Sequence, residues 1–302
     1  MPKLHAHKLF TYTGHKAALY GLGKGFASNT FVTGGAEGWV VEWNFEQPAD
    51  GQLLVKANSP VYSFLVLGDE KRMLCGTSAG HLHVLDMQQR QETRNIEAHR
   101  AGIFDLALNG NKILSAGGEG SLKVWDRETL ALFANIQHSN KKARVIAFHP
   151  TLPQMAVGYS DATIRVFDSQ TFELVQQIQG HTNTVMALAY SPNGEFLLSG
   201  GLDAVLKIWE VHKGFAPVQT INAHWLHINA IQYSPAGHYF ATASMDKTLK
   251  IWDANAFELL KVLDKEKYDG HTSSVNKILW VDDNRLISCS DDKTAKLWQI
   301  GT

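Results

Sequence analysis

Cysteine is scarce in this chain: Cys75 and Cys289 are the only two among 302 residues. That frequency excludes a small disulfide-stapled scaffold, and a reducing, intracellular compartment is the simplest reading. Long apolar runs are missing as well. None approaches the ~18 residues that a membrane-spanning helix needs, and Met1–His7 holds no apolar core of a signal peptide. Neither sign of charge is in excess, since 28 Lys and Arg stand against 29 Asp and Glu for a net charge of −1. No broad field therefore draws nucleic acid or an anionic membrane. No Gly-rich phosphate loop precedes a helix, and no stretch carries a long helical period. The remaining composition, 44% hydrophobic and 19% charged, is ordinary for a soluble globular protein, and a cytoplasmic location is expected.

What the chain does have is repetition. Ala243–Asp253 reads Ala-Ser-Met-Asp-Lys-Thr-Leu-Lys-Ile-Trp-Asp: an apolar strand, a polar turn at Asp246, and a second strand ending in Trp-Asp. Close copies end in Leu-Lys-Ile-Trp-Glu at Glu210, Leu-Lys-Val-Trp-Asp at Asp126, Ile-Arg-Val-Phe-Asp at Asp168 and Ala-Lys-Leu-Trp-Gln at Gln299. Looser ones close at Trp43-Asn44 and Leu85-Asp86. The aromatic slot thus recurs about every 40–46 residues, seven times, which is the period of a blade of four short strands. Roughly 28 residues ahead of most slots stands a second marker: Gly14-His15, Ala98-His99, Gly180-His181, Ala223-His224 and Gly270-His271. The two cysteines fall in repeats 2 and 7, which are not neighbours, so no disulfide is expected.

This pairing of Gly-His with Trp-Asp resembles the WD-repeat family of β-propellers, over essentially the whole chain. The resemblance implies an all-β fold: a seven-bladed β-propeller of four-stranded antiparallel blades, one domain spanning 1–302. The last repeat ends near Ile300 without a fourth strand, while Leu9–Tyr12 reads as a strand with nothing before it to pair with. An open blade would leave raw edges, so Leu9–Tyr12 is expected to pair with Ala295–Trp298 and close the ring. His5 and His7 would lie in a frayed tail. In repeat 4 the segment His138–Arg144 reads as one residue too long, and in repeat 7 Asp264–Asp269 reads as an inserted surface loop.

Four residue types recur together: His181, Ser199, Asp203 and Trp209; His224, Thr242, Asp246 and Trp252; His271, Ser288, Asp292 and Trp298. His, Ser and Asp invite a hydrolase reading, but an enzyme has little use for the same triad in every blade. The resemblance implies instead a structural network within each blade, from Asp through His and the hydroxyl to the Trp nitrogen. Buried polar groups need partners, and a connected network fixes register. Glu37 and Glu119 replace Asp in repeats 1 and 3 with a longer arm. Val157 in the hydroxyl slot breaks the network of repeat 4, and repeat 2, with Ala57, Ala79 and Leu85, has none and is expected to be the softest blade.

The resemblance also implies exposed slots on one face, three and five residues after the His position and one before the turn Asp. Tyr20, Tyr62 and Phe104 occupy one such slot on consecutive repeats. Three rings offer on the order of 500 Å², against about 800 Å² that each partner contributes to a standard interface. Two readings stay open: anchors for a partner's apolar side chain, or a plug in which the rings pack on each other. Lys142 and Arg144 suit an acidic or phosphorylated segment. Trp225, His227 and Met245 make a second spot, and Met186, Asn229, Asn276 and Asp291 complete the candidate face. Among these slots only Asp291 is a carboxylate, too few for paired acid–base chemistry. His81 and His83 alternate as a metal pair might, but they fill slots held by Thr248 and Lys250 in repeat 6; no metal and no cofactor are expected. The expected function is a non-catalytic protein–protein interaction scaffold that docks a protein or peptide partner on the top face. It would be monomeric alone and part of a multiprotein complex, with no nucleic acid or membrane partner. The alternative is a small-ligand binder or enzyme using the channel mouth.

Overall fold

The computed structural model describes residues 4–48, 51–68 and 71–301. They form seven four-stranded antiparallel sheets, each built from consecutive strands except the last. The innermost strands, Leu19–Lys24, Val61–Leu67, Ile103–Asn109, Ala143–Phe148, Val185–Tyr190, Ile228–Tyr233 and Val275–Trp280, touch one another in that order, and the seventh touches the first. The sheets are therefore blades of a closed ring. The second strand of every blade shows the same burial, one half-buried residue followed by five buried ones. The core accordingly runs around the ring between the sheets.

Neighbouring blades lock through a column of small residues on these second strands. Gly34, Gly76, Gly158 and Gly200 face Val61, Ile103, Val185 and Ile228 of the next blade. A Cβ on Gly200 would come within 2.8 Å of Cγ2 of Ile228, and the other three positions are as tight. Ala116, Ala243 and Cys289 hold the same slot in blades 3, 6 and 7, packed in the clusters that contain Ala143, Val275 and Leu19. Cys289 is thus a small core residue, and burial pushes its thiol up to about 12.

The predicted closure is present and longer than expected. His5–Tyr12 pairs antiparallel with Ala295–Gly301, with Phe10 opposite Leu297 and Tyr12 opposite Ala295. His5 and His7 belong to this strand, opposite Gly301 and Gln299, rather than to a frayed tail. The insertion of repeat 7 is ordered too: Lys265–Tyr268 is a helical turn whose Asp264 cap accepts from the Lys267 amide at 2.8 Å. Asp269, just after it, receives the ammonium groups of Lys265 and of Lys8 on the closing strand. Lys296 Nζ donates to its carbonyl at 2.8 Å. The insertion latches the closing strand.

The polar sets form the same chain in three blades. Trp209 Nε1 donates to Ser199 Oγ at 2.8 Å, Ser199 meets His181 Nε2 at 2.7 Å, and His181 Nδ1 meets Asp203 at 2.8 Å. Blade 6 repeats this with Trp252, Thr242, His224 and Asp246, and blade 7 with Trp298, Ser288, His271 and Asp292, each at 2.7–3.0 Å. Glu37 and Glu119 complete equivalent chains in blades 1 and 3, each 2.7 Å from its His Nδ1. Their extra methylene leaves the second oxygen, Oε2, buried without a partner, whereas Asp246 uses its second oxygen to accept from the Thr248 amide and hydroxyl. Burial holds His15, His99, His224 and His271 below the ordinary imidazole value, against the pull of their carboxylates. Burial alone would raise Asp246 and Asp292, but hydrogen bonds from His and Thr outweigh it and hold both well below the usual carboxylate range. The chain therefore reads as neutral His donating to ionised Asp.

Repeat 4 corrects the sequence reading. It has no extra residue: Ser139 fills the His slot, 22 positions before Asp161, as His181 stands 22 before Asp203. Nor is its polar set simply broken. Asp161 accepts from Ser139 Oγ at 2.9 Å, Thr163 Oγ1 at 2.6 Å and Arg165 Nη2 at 2.9 Å, while Arg165 lies 4.5 Å over the Tyr159 ring. Phe167 offers no N–H, so Val157 leaves no indole unpaired, while Arg165 Nη1 and the Tyr159 hydroxyl are buried without a partner among the described residues. In blade 2 the corresponding positions, Ala57, Cys75 and Leu85, are all apolar and buried in one cluster.

Candidate functional site

Each innermost strand is interrupted by a bulge at its second residue. The first residue, from Leu19 and Val61 through to Val275, is fully buried, and pairing with the second strand resumes one residue late. The skipped residue has no cross-strand partner, so its side chain is free to point away from the ladder. The skipped residues are Tyr20, Tyr62, Phe104, Arg144, Met186, Asn229 and Asn276. All seven, one from each blade, line a single cavity of about 210 Å³ together with Lys277. It sits at the mouth of the central channel.

The lining is divided. Tyr20 and Tyr62 meet edge to face at 5.6 Å, Tyr62 and Phe104 stack at 5.5 Å with 12° between planes, and the Arg144 guanidinium lies 4.2 Å over Phe104. The rings pack on each other and still remain half-exposed, so the two readings of the trio are not exclusive. Lys142 sits at the rim, 5.7 Å from Phe104. On the other side the amides are already engaged with neighbouring blades. Asn229 Nδ2 donates to Ser274 Oγ and to the Val275 carbonyl at 3.0 Å. Asn276 Nδ2 donates to the Leu19 carbonyl at 2.8 Å and to Asp291 at 2.7 Å. These amides hold blades together as much as they present chemistry to the channel.

Trp225, His227 and Met245 lie outside the cavity, on the loops of blade 6. Trp225 is 89% exposed and Met245 44%, and the Met245 amide donates to the His227 carbonyl at 3.0 Å. His81 and His83 are spent within blade 2, on Asn95 at 2.9 Å and Glu92 at 3.1 Å.

The sequence reading missed two charged residues, Lys277, which lines the cavity, and Asp105, which is not part of its lining. Asp105 and Lys277 each directly follow a bulge residue, in blades 3 and 7, where the other blades have Gly21, Ser63, Val145, Ala187 and Ala230. Two charges in a column of otherwise small or apolar residues were the available signal. The half-buried Asp105 carboxylate accepts from the Ile146 amide of blade 4 at 2.8 Å and from the Leu106 amide at 3.0 Å. Burial pushes its carboxyl up, opposed by the Lys277 charge and by those two amides.

The ring of seven four-stranded blades, the Gly-His and Trp-Asp markers and their hydrogen-bonded chains define a seven-bladed β-propeller of the WD type. The family model "WD domain, G-beta repeat" matches residues 90–126, 172–210, 215–253 and 262–299, together about half of the chain, and the protein belongs to that family. The chain is similar to WD repeat-containing protein 90 of Mus musculus, 28% identical over 140 residues. That match covers 45% of this chain but 7% of the relative, so the chain spans under a tenth of it. It is similar to the DDB1- and CUL4-associated factor 11 homolog of Caenorhabditis briggsae, 33% identical over 81 residues, which are 26% of this chain and 15% of the relative. It is also similar to the F-box/WD repeat-containing protein mec-15 of Caenorhabditis elegans, 23% identical over 121 residues, 39% of this chain and 30% of the relative. Propellers of this family generally act as non-catalytic scaffolds. Among the described residues, no helix is long and apolar enough to cross a membrane.

Proposed function

We propose that this propeller is a non-catalytic platform that docks a protein or peptide partner on the face bearing Tyr20, Tyr62 and Phe104. The observation that carries the reading is the convergence of all seven bulge residues on one mouth, with three half-exposed rings side by side. Interface energy concentrates where aromatic side chains are presented in partly formed pockets. The cavity volume, about 210 Å³, falls below the roughly 300–1,000 Å³ of typical small-molecule sites, and suits an inserted side chain better than a cofactor. Trp225 and Met245 extend the apolar surface on blade 6. The relatives' names fit such a role: one is a factor associated with DDB1 and CUL4, another carries an F-box. The shared segments amount to a few blades, so what passes to this chain is the platform within a multiprotein complex, not a particular partner.

The test is affinity capture from native lysate with wild type and the triple variant Tyr20→Ala, Tyr62→Ala, Phe104→Ala. Each lost ring pair costs about 0.5–1.5 kcal/mol, so an unchanged circular dichroism spectrum is checked first. A specific protein retained by the wild type and lost by the folded variant is the expected result. Identical captures with both forms would reduce the trio to channel packing.

A further inference from the structure

The mouth carries an arginine that makes no ion pair among the described residues. Arg144 donates through Nε to Ser160 Oγ at 3.2 Å, and its two terminal amino groups meet no acceptor among the described residues. Its guanidinium lies 4.2 Å over the Phe104 ring, already partly desolvated, which lowers its hold on the proton. Lys277 lines the same cavity and, among the described residues, makes no ion pair or side-chain hydrogen bond. Asp105, on which the Lys277 charge acts, accepts from two backbone amides, and Asp291 accepts from Asn276. Burying a cation without a counter-ion is costly, and an arginine fixed by stacking keeps a preorganised pair of donors.

We propose that the occupant of this cavity is the carboxylate of a glutamate or aspartate side chain in an extended segment of the partner, received by Arg144 and Lys277 while its flanking residues lie on the Tyr20, Tyr62 and Phe104 rings. This rests on the docking reading above and names the partner's chemistry. A cationic residue is disfavoured, because the face of Phe104 that would attract it is already taken by Arg144 and Lys142. A phosphoryl group is disfavoured as well: it calls for a cluster of arginines, and the cavity is lined by one guanidinium. The planar fork of a single arginine matches a planar carboxylate.

The probes are amidated, N-acetylated nonapeptides with uncharged mixtures at eight positions and Glu, Gln, phosphoserine or Lys at the fifth, first as an array and then as fluorescent peptides in anisotropy titrations. Glu is expected to bind roughly tenfold to a hundredfold more tightly than Gln, as a hydrogen bond to a charged group contributes. That preference should vanish in Arg144→Met and shrink in Lys277→Met. Both variants keep the aliphatic bulk, and the Glu-to-Gln comparison on wild type needs neither. Equal binding of Glu and Gln, or a preference for Lys or phosphoserine, overturns the proposal. If peptides bind whatever the fifth residue and are lost from the Tyr20, Tyr62, Phe104 triple variant, the carboxylate assignment fails while the platform stands. If no peptide binds in a way that depends on those rings, both fail.

Discussion

At the scale of single residues, the repeated His, hydroxyl, Asp and Trp chain is a device for register. Each link is a buried hydrogen bond, and removing one end orphans the next group. Asp246→Ala is expected to cost about 1–3 kcal/mol in chemical denaturation, with no compensating change at the channel mouth. An unchanged midpoint would mean that the network carries no load. Its protonation makes a second prediction. In the unfolded chain the four depressed histidines take up protons below about pH 6.5, while burial keeps them neutral in the fold. Protons therefore bind the unfolded state first, and stability falls as pH drops below about 6.5. Asp246 and Asp292 are also depressed, so their contribution is full above about pH 4 and is lost on further acidification. Both groups act in the same direction. Thermal melts from pH 8 down to 4 should show a plateau and then a decline; a midpoint rising on acidification would contradict neutral histidine. This chain of residues was legible in the sequence because it repeats at fixed spacing. The orphaned second oxygens of Glu37 and Glu119 were not, since spacing says which residue reaches a partner but not what its other atom meets.

At the scale of the element, two columns decide how the blades meet. One holds the buried first residues of the inner strands, the other the small residues that receive them. Gly200→Val would drive a side chain into Ile228, already 2.8 Å from a Cβ, and is expected to cost about 1–3 kcal/mol by overpacking, read as a lowered denaturant midpoint. Blade 2 tests the opposite case. Its network slots are occupied by Ala57, Cys75 and Leu85, so nothing is orphaned there, and its directional side-chain links, such as His81 to Asn95 and His83 to Glu92, lie outside those slots. Hydrogen exchange is expected to show blade 2 opening before blades 5 to 7. Equal protection would mean that apolar packing replaces the network in full. The bulge positions fall five residues after the His slot in every blade, although Ala57 and Ser139 hold that slot in blades 2 and 4. Repeat 4 was misjudged because a histidine happens to precede Ser139, and a residue type was followed where the count of positions to Asp161 was the firmer guide.

For the whole molecule, closure depends on one strand and its latch. Deleting residues 1–12 would expose the edge of Ala295–Gly301 and strip Asp269 of Lys8. Concentration-dependent association in size-exclusion chromatography is expected, and a stable monomer would show that the ring tolerates a three-stranded blade. Composition already spoke against a membrane span, and repeat count gave the number of blades. The latch was hidden, because a charged insertion reads as a solvated loop until its Asp269 is seen to hold Lys8 of the closing strand. The bulges have a consequence for how such a surface changes over time. At each one, the neighbour that anchors the strand is buried and the residue that faces the channel is not paired across the sheet. A buried anchor and a channel-facing side chain thus occupy adjacent letters of the same strand. Positions such as Met186 can be rewritten with little effect on the sheets, whereas Asn229 and Asn276 cannot, because their amides also tie neighbouring blades.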